Sequence, residues 1–192
     1  MNAATDRRLT VRETASAGEL AAAREVLDAA HQRAGFPDAQ RVDRYWGKPF
    51  ARTFAAWIGD QIVATDTLIL DGSTDGLPCE VAFREEVWAQ RVLGLSVVEG
   101  AFLAALETES RIAVMKALLA AVIEAAVETA GDMGFTAVAP HHLRLYGWFG
   151  FRCVAGPRAY PGDPTHEEML MSLDLHHAGP TLALLRGERC PS

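Results

Sequence analysis

Two acidic residues stand alone within apolar stretches of the sequence, where a carboxyl group can carry acid–base chemistry. Glu99 is the one acidic residue in the run 95–106, and Asp66 shares the alternating face of its segment with Leu68. Burial disfavours the charged form of a carboxyl group, so its pKa rises and it becomes a usable base near neutral pH. We therefore predict Glu99 as a catalytic base. The alternative roles are structural: backbone or arginine partners for Glu99, and a salt bridge to Arg52 for Asp66.

Histidines and cysteines are common metal ligands, but their spacing here does not indicate a metal site. The six histidines include the adjacent pairs 141–142 and 176–177, and neighbours in sequence rarely point at one ion. The three cysteines form no Cys-x-x-Cys pair and are predicted to be reduced thiols. We therefore predict no metal. His142, at the start of a predicted helix beside the sheet, is a candidate for titration near neutral pH, with capping or packing as the alternative.

Composition limits the class of protein. The 192 residues are 49% hydrophobic and 22% charged, which suits one domain with one core. A formal net charge of −7 leaves no basic surface for nucleic acid. Residues 1–13 contain no apolar block, and no later apolar run approaches membrane-spanning length. We predict a cytoplasmic protein without a membrane span, organised as a single domain at 1–175 and a loosely attached tail at 176–192.

The elements that must position these residues follow from capping signals and hydrophobic periodicity. Ser16 and Glu19 form a capping box, and Gly59-Asp60 joins two strand-like runs as in a hairpin. A sheet of mixed strand direction with helices is therefore predicted. The predicted order is a strand at 10–12, a helix at 16–34, a short helix or loop at 38–46, strands at 50–58 and 61–70, a short helix within 79–91, a strand from 95, a helix from 110, a strand at 135–140, a helix at 141–149 and two strands within 151–175.

This order resembles that of the GNAT-type acyltransferases, because Tyr146, Gly150 and Phe151 form a Tyr-x-x-x-Gly-Phe signature after the fifth strand. The segment 71–106, with its Gly-Leu-Pro motif, amphipathic insert and glutamate-bearing strand, is similar to the long-chain N-acyl amino acid synthases (FeeM-like) and to their cousins, the autoinducer synthases. The resemblance covers residues 9–175. It implies a GNAT-like α/β fold with a mixed, mostly antiparallel central sheet, flanked by helices and splayed between strands 4 and 5.

The resemblance also implies a function and further site residues. The expected enzyme moves a long acyl group from a thioester, on acyl carrier protein or coenzyme A, to the amine of a small acceptor such as an amino acid, without a tightly bound cofactor. Tyr146 would return a proton to the leaving thiolate, unless it is only a core aromatic. Apart from the resemblance, the charge of Asp66 among apolar neighbours makes it a candidate to orient the acceptor amine. Large aromatic residues would line an acyl tunnel or fill the core: Phe36, Trp46, Phe54, Trp57, Trp88, Phe102 and Trp148. Among these, Phe102 and Trp148 are predicted to bind substrate, together with His142.

Two departures from the family pattern refine the expected substrates. Glu107 and Glu109 stand where most GNAT enzymes have a glycine-rich turn for the pyrophosphate, so Ser110, Arg111 and the helix amides remain as anion hosts. This disfavours coenzyme A and favours a carrier protein as the donor. Phe102 replaces the arginine that follows the strand glutamate in homoserine-lactone synthases, which disfavours that reaction. The alternatives are a short-chain acetyl-CoA-dependent N-acetyltransferase and a non-catalytic module that binds an acyl ligand or a partner.

Overall fold

The computed structural model describes residues 8–36, 39–72, 74–108, 110–160 and 163–188. Its strands form one seven-stranded sheet in the order β1-β2-β3-β4-β5-β7-β6. The strands are β1 (Leu9–Glu13), β2 (Ala51–Ile58), β3 (Gln61–Leu70), β4 (Val97–Ala105), β5 (Met133–Val138), β6 (Arg152–Tyr160) and β7 (Asp163–Asp174). The α-helices are α1 (Ala17–Ala34), α2 (Ala39–Tyr45), α3 (Glu80–Val92), α4 (Arg111–Glu128), α5 (Leu143–Trp148) and α6 (Gly179–Arg186).

The central strands β4 and β5 run parallel, whereas every other neighbouring pair in the sheet is antiparallel. Their pairing is short: Val97 lies opposite Met133, and the register ends where Glu99 lies opposite Phe135. Strand β4 nevertheless continues to Ala105. The two strands therefore separate beyond Glu99, and the predicted mixed sheet with a splay between strands 4 and 5 is confirmed.

The helix that opens the domain begins and ends where local signals in the sequence indicate. The Ser16 hydroxyl accepts a hydrogen bond from the backbone N–H of Glu19 at 3.2 Å, which satisfies one of the free amides of the first turn of α1. Gly35 ends the helix with a φ of 71°, a left-handed conformation that glycine adopts without steric cost.

Helices cover both faces of the sheet, and the alternation of strand residues assigns each side chain to one of them. Helices α4, α5 and α6 pack on the face that carries Leu68 and Val98. Helices α2 and α3 pack on the face that carries Val97 and Phe135, and α1 packs against Ala55 and other residues of β2 and β3. Because β4 alternates, Glu99 lies on the same face as Val97, opposite to α4.

The predicted tail is partly packed against the domain. Residues Gly179–Arg186 form α6, whose Thr181 and Leu185 are buried, and the helix lies against α4. Pro180 in its first turn and Gly187 after its last turn are typical helix boundary residues, so the sequence did carry a helical signal here. Within the described ranges, no helix is both long and apolar enough to cross a membrane.

Candidate active site

A cavity of about 790 Å³ lies at the splay between β4 and β5. Its lining comes from both separated strands and from both faces of β7, from α4 and α5 on one face of the sheet, and from α1 and α2 on the other. The cavity therefore passes through the sheet at the point where the backbone groups of β4 and β5 no longer pair with each other. A volume of this size matches sites for small molecules, which span roughly 300–1,000 Å³.

Glu99 lines this cavity where the splay begins, and its side chain is 1% exposed. Its Oε2 accepts a hydrogen bond from the backbone N–H of Cys79 at 2.7 Å. Its Oε1 is buried and has no hydrogen-bond partner within the described part of the chain. Burial raises the pKa of Glu99 to about 7, although the charge of Arg41 and the hydrogen bond from Cys79 act in the opposite direction. A carboxyl group with this pKa exchanges protons readily near neutral pH.

Arg41 and Glu168 form a second buried feature on the same face, which the sequence analysis did not predict. The Nη1 of Arg41, on α2, donates a hydrogen bond to Oε1 of Glu168, on β7, at 3.1 Å. The guanidinium carbon also lies 4.9 Å from the ring centroid of Tyr160. Both charged side chains line the cavity. One signal was available, because Glu168 has the same strand parity as Leu170, whose side chain is fully buried.

Tyr146 and Asp66 lie on the opposite face of the sheet, and both are buried and line the cavity. The pKa of the Tyr146 hydroxyl is raised by burial and by the charge of Asp66, while a hydrogen bond with the side chain of Thr136 lowers it in part. Tyr146 therefore keeps its proton throughout the physiological range. Burial also raises the pKa of Asp66 well above its ordinary value, against a hydrogen bond of 2.8 Å that its Oδ1 accepts from the N–H of Thr67.

The predicted alternative for Asp66, a salt bridge to Arg52, is wrong. Arg52 instead donates to Glu13, with 2.8 Å between its Nη2 and the carboxylate Oε2. Asp66 lies opposite a bulge in β4, where Phe102 and Leu103 occupy the register between the pairs 65–104 and 67–101.

The two predicted substrate-binding aromatics differ in position. Phe102 lines the cavity, and its φ of 65° is uncommon for a bulky residue and gives the bulge its sharp bend. Trp148 is 56% exposed, its ring lies 5.7 Å from the Nζ of Lys116, and it does not line the cavity, so it neither lines the expected acyl tunnel nor fills the core, and its contact with substrate stays a prediction. The period of α5 places Tyr146 inward and Trp148 outward.

Most of the other aromatics proposed for an acyl tunnel also lie elsewhere. Trp57 and Phe54 are core residues and Trp88 is 60% exposed, whereas Phe36 does line the cavity. The apolar arm of the cavity is aliphatic instead. It lies between α4 and the sheet, and its lining includes Met115, Leu119, Val122, Ile123, Ala126, Leu173 and Leu175.

The predicted anion-binding residues stand at the start of α4, and they are not equivalent. Arg111 lines the cavity together with Glu107 and the two histidines His141 and His142. Partial burial and the nearby charges of His141 and Arg111 lower the pKa of His142. Ser110 is exposed, makes no side-chain capping bond and does not line the cavity.

Two sequence predictions concern ionic sites. Glu109, one of the two glutamates expected to repel a pyrophosphate, lies outside the described residues. Across the ranges that the structure covers, no three histidine, cysteine, aspartate or glutamate side chains are arranged to hold a metal ion.

Comparisons with known proteins identify the family. A family model described as "N-acyl amino acid synthase FeeM" matches residues 22–174. The solved structure of FeeM, an N-acyl amino acid synthase from uncultured soil microbes, matches with a TM-score of 0.83 and 22% identity over 95% of this chain and 99% of that chain. A comparison with curated protein sequences gives no significant match.

More distant structures share the fold. An acyl-CoA N-acyltransferase from Pseudomonas aeruginosa matches with a TM-score of 0.62 and 15% identity, over 86% of this chain and 97% of that chain. A GNAT family acetyltransferase from Elizabethkingia anophelis with acetyl-CoA bound gives a TM-score of 0.60 and 14% identity over the same shares, 86% and 97%. The chain therefore belongs to the N-acyl amino acid synthase FeeM family, has the GNAT fold and is an N-acyltransferase, as the sequence predicted.

Proposed function

We propose that this N-acyltransferase moves a long acyl group from a thioester donor to the amine of an amino acid. The observation that carries the proposal is the single cavity at the splay, with Glu99 on one face of the sheet and Tyr146 on the other. The thioester carbonyl would bind between the separated strands, where backbone groups of β4 beyond Glu99 have no partner on β5. Such groups are suited to hold an oxyanion.

The aliphatic arm between α4 and the sheet favours a long acyl chain over an acetyl group. Leu119 and Ile123 of α4 face Leu173 of β7 across it, and all three are buried. Each methylene group transferred into such a space contributes about 0.8 kcal/mol. An acetyl group would leave most of the cavity unused, so this geometry favours a long-chain donor over the acetyltransferase alternative.

The chemistry assigns opposite proton transfers to the two buried groups. The acceptor arrives as an ammonium, and Glu99 takes one of its protons to leave a neutral amine. The nitrogen then bonds to the thioester carbonyl carbon, and the carbonyl oxygen becomes an oxyanion. When the carbon–sulfur bond breaks, Tyr146 gives its hydroxyl proton to the departing thiolate and regains one from the amide nitrogen. The products are an amide, a free thiol and one proton, which leaves Glu99 for solvent.

The mouth of the cavity favours acyl carrier protein over coenzyme A as the donor. Arg111 supplies positive charge for one phosphate group, His141 and His142 beside it offer ring N–H groups as hydrogen-bond donors, and the free amides of the first turn of α4 add partial positive charge. Glu107 lies among them and opposes a second and third phosphate charge. A phosphopantetheine arm carries one phosphodiester, whereas coenzyme A carries three phosphate groups, two in its pyrophosphate and one as the 3′-phosphate.

The test supplies the purified chain with all twenty amino acids and one donor at a time: dodecanoyl acyl carrier protein, dodecanoyl-CoA or acetyl-CoA. Mass spectrometry then identifies the products. We expect N-dodecanoyl amino acids, formed fastest from the carrier protein. Glu99→Gln should reduce the rate about 10²-fold or more, whereas the matched change Glu25→Gln, at an exposed position of α1 outside the cavity, should not. Formation of acetyl products alone, or of no acylated amine, would contradict the proposal.

A further inference from the structure

Glu168 has no part in the mechanism so far, although it is buried, charged and lines the same cavity as Glu99. We propose that Glu168 and Glu99 together form the binding site for the acceptor's ammonium group. The inference rests on the proposed function, since it names the groups that recognise the acceptor. It makes Glu168 a specificity residue, a role that was not predicted from the sequence.

The first observation is the pair of buried carboxylate oxygens that lack partners. Oε1 of Glu99 and Oε2 of Glu168 are both buried, and neither has a hydrogen-bond partner among the residues described. The other oxygen of each group is used: Oε2 of Glu99 accepts from the N–H of Cys79, and Oε1 of Glu168 accepts from Arg41. A buried polar atom without a partner is costly, so two of them in one cavity indicate a ligand that donates hydrogen bonds.

The second observation is the charge balance of the cluster. Arg41 supplies one positive charge to two carboxyl groups, and its charge acts on both of them. Once Glu99 is ionised, the cluster of Glu99, Glu168 and Arg41 carries a net charge of −1 in a buried space. Because an uncompensated buried charge is unfavourable, the cluster favours a cationic guest. A primary ammonium has three N–H donors, enough for both oxygens, and the two carboxyl groups are near enough that the charge of Glu168 raises the pKa of Glu99.

The third observation concerns the other end of an amino acid. Basic side chains on the same side of the cavity are less buried than the two glutamates, and they belong to His31, Arg33 and His166. A zwitterion with its ammonium at Glu99 and Glu168 would direct its carboxylate toward these groups. The arrangement would also hold the ammonium beside the base that must deprotonate it, so binding and activation occur at one place.

The experiment measures binding of n-butylammonium, with n-butanol as the neutral probe of similar shape, by saturation-transfer NMR at pH 8. We expect the wild-type chain to bind n-butylammonium and not n-butanol. Glu168→Gln should weaken n-butylammonium binding about tenfold or more, because it removes the charge of one acceptor and turns it partly into a donor. Glu25→Gln, an exposed change of the same type, should leave binding unchanged. Thermal melts establish that each variant is folded.

If Glu168→Gln does not fold because Arg41 loses its partner, Glu168→Asp is the second variant to test. Aspartate keeps the charge but draws the oxygens back by one methylene, so binding should weaken while the ion pair is retained. The inference would be overturned if folded Glu168 variants bound n-butylammonium as tightly as the wild type, or if the wild type did not bind it. Absence of acyl transfer together with Glu168-dependent binding would refute the proposed function alone. Normal transfer with an unchanged KM for the amine in Glu168→Gln would refute the ammonium site alone.

Discussion

Replacing Glu99 by glutamine should change how the stability of the protein depends on pH. The pKa of Glu99 is raised from its ordinary value of 4.5 to about 7 in the folded state, chiefly by burial. The folded protein therefore holds a proton that the unfolded chain has already lost. The contribution of this proton to the free energy of unfolding is fully present below pH 4.5 and is lost as the pH rises through about 7.

The size of the effect follows from the two pKa values. Each tenfold change in an ionisation constant corresponds to about 1.4 kcal/mol, so the shift from 4.5 to about 7 amounts to roughly 3 kcal/mol. Glutamine cannot ionise, so Glu99→Gln removes this contribution. The wild type should therefore lose about 3 kcal/mol of stability relative to the variant across this pH window. Asp66 is present in both proteins and cancels in the comparison.

The assay is urea unfolding of the wild type, Glu99→Gln and the exposed control Glu25→Gln at pH 5, 6, 7 and 8. The same ionisation should govern catalysis, with kcat/KM in the wild type rising about ninefold from pH 6 to pH 8, as the ionised fraction rises from about 10% to about 90%. Stability curves of the wild type and Glu99→Gln that run parallel from pH 5 to pH 8 would refute the reasoning, because Glu99 would then be ionised at the same pH in both states.

Three further predictions concern the rest of the cavity. Tyr146→Phe should lower kcat about 10²-fold with little change in donor KM, since it acts on the leaving thiolate; near-normal kcat would make Tyr146 a core aromatic. Ala126→Phe should fill the end of the aliphatic arm and lower the ratio of kcat/KM for dodecanoyl over hexanoyl donors about tenfold, whereas Val127→Phe, at an exposed position of the same helix, should not change it. Glu107→Gln should tighten coenzyme A binding about threefold in calorimetry at low salt, and tight binding by the unmodified chain would contradict the charge argument.

Local features of the fold could be predicted because their signals are contained in a few neighbouring residues. Ser16 and Gly35 bound α1 through contacts within one turn, and Gly150 has the positive φ expected after α5. The burial of Glu99 also follows from its apolar neighbours in sequence. The helix α6 was not predicted, although Pro180 and Gly187 mark its boundaries. The segment is too short to repeat the helical pattern of apolar residues over several turns, as α4 does.

The site was harder to predict because it depends on contacts between distant segments. Arg41 and Glu168 are 127 positions apart, and no local pattern relates them. The positions of the aromatic residues were hard to predict for a similar reason, because composition does not show which face of a helix meets the core. Trp148 was expected in the cavity and lies outside it. Phe102 lines the cavity because of a bulge that appears only in the strand register, and its contact with substrate stays a prediction.

The sheet itself keeps the two proposed proton-transfer groups in different environments. On one face, the charge of Arg41 limits the rise in the pKa of Glu99 that burial causes, so the group can lose its proton near pH 7. On the other, burial and the charge of Asp66 keep Tyr146 protonated. Two groups whose surroundings separate their pKa values in this way are suited to act as base and acid in one reaction. The splay of β4 from β5 opens a passage between the faces, so a thioester held there can meet both groups while each keeps its own neighbours.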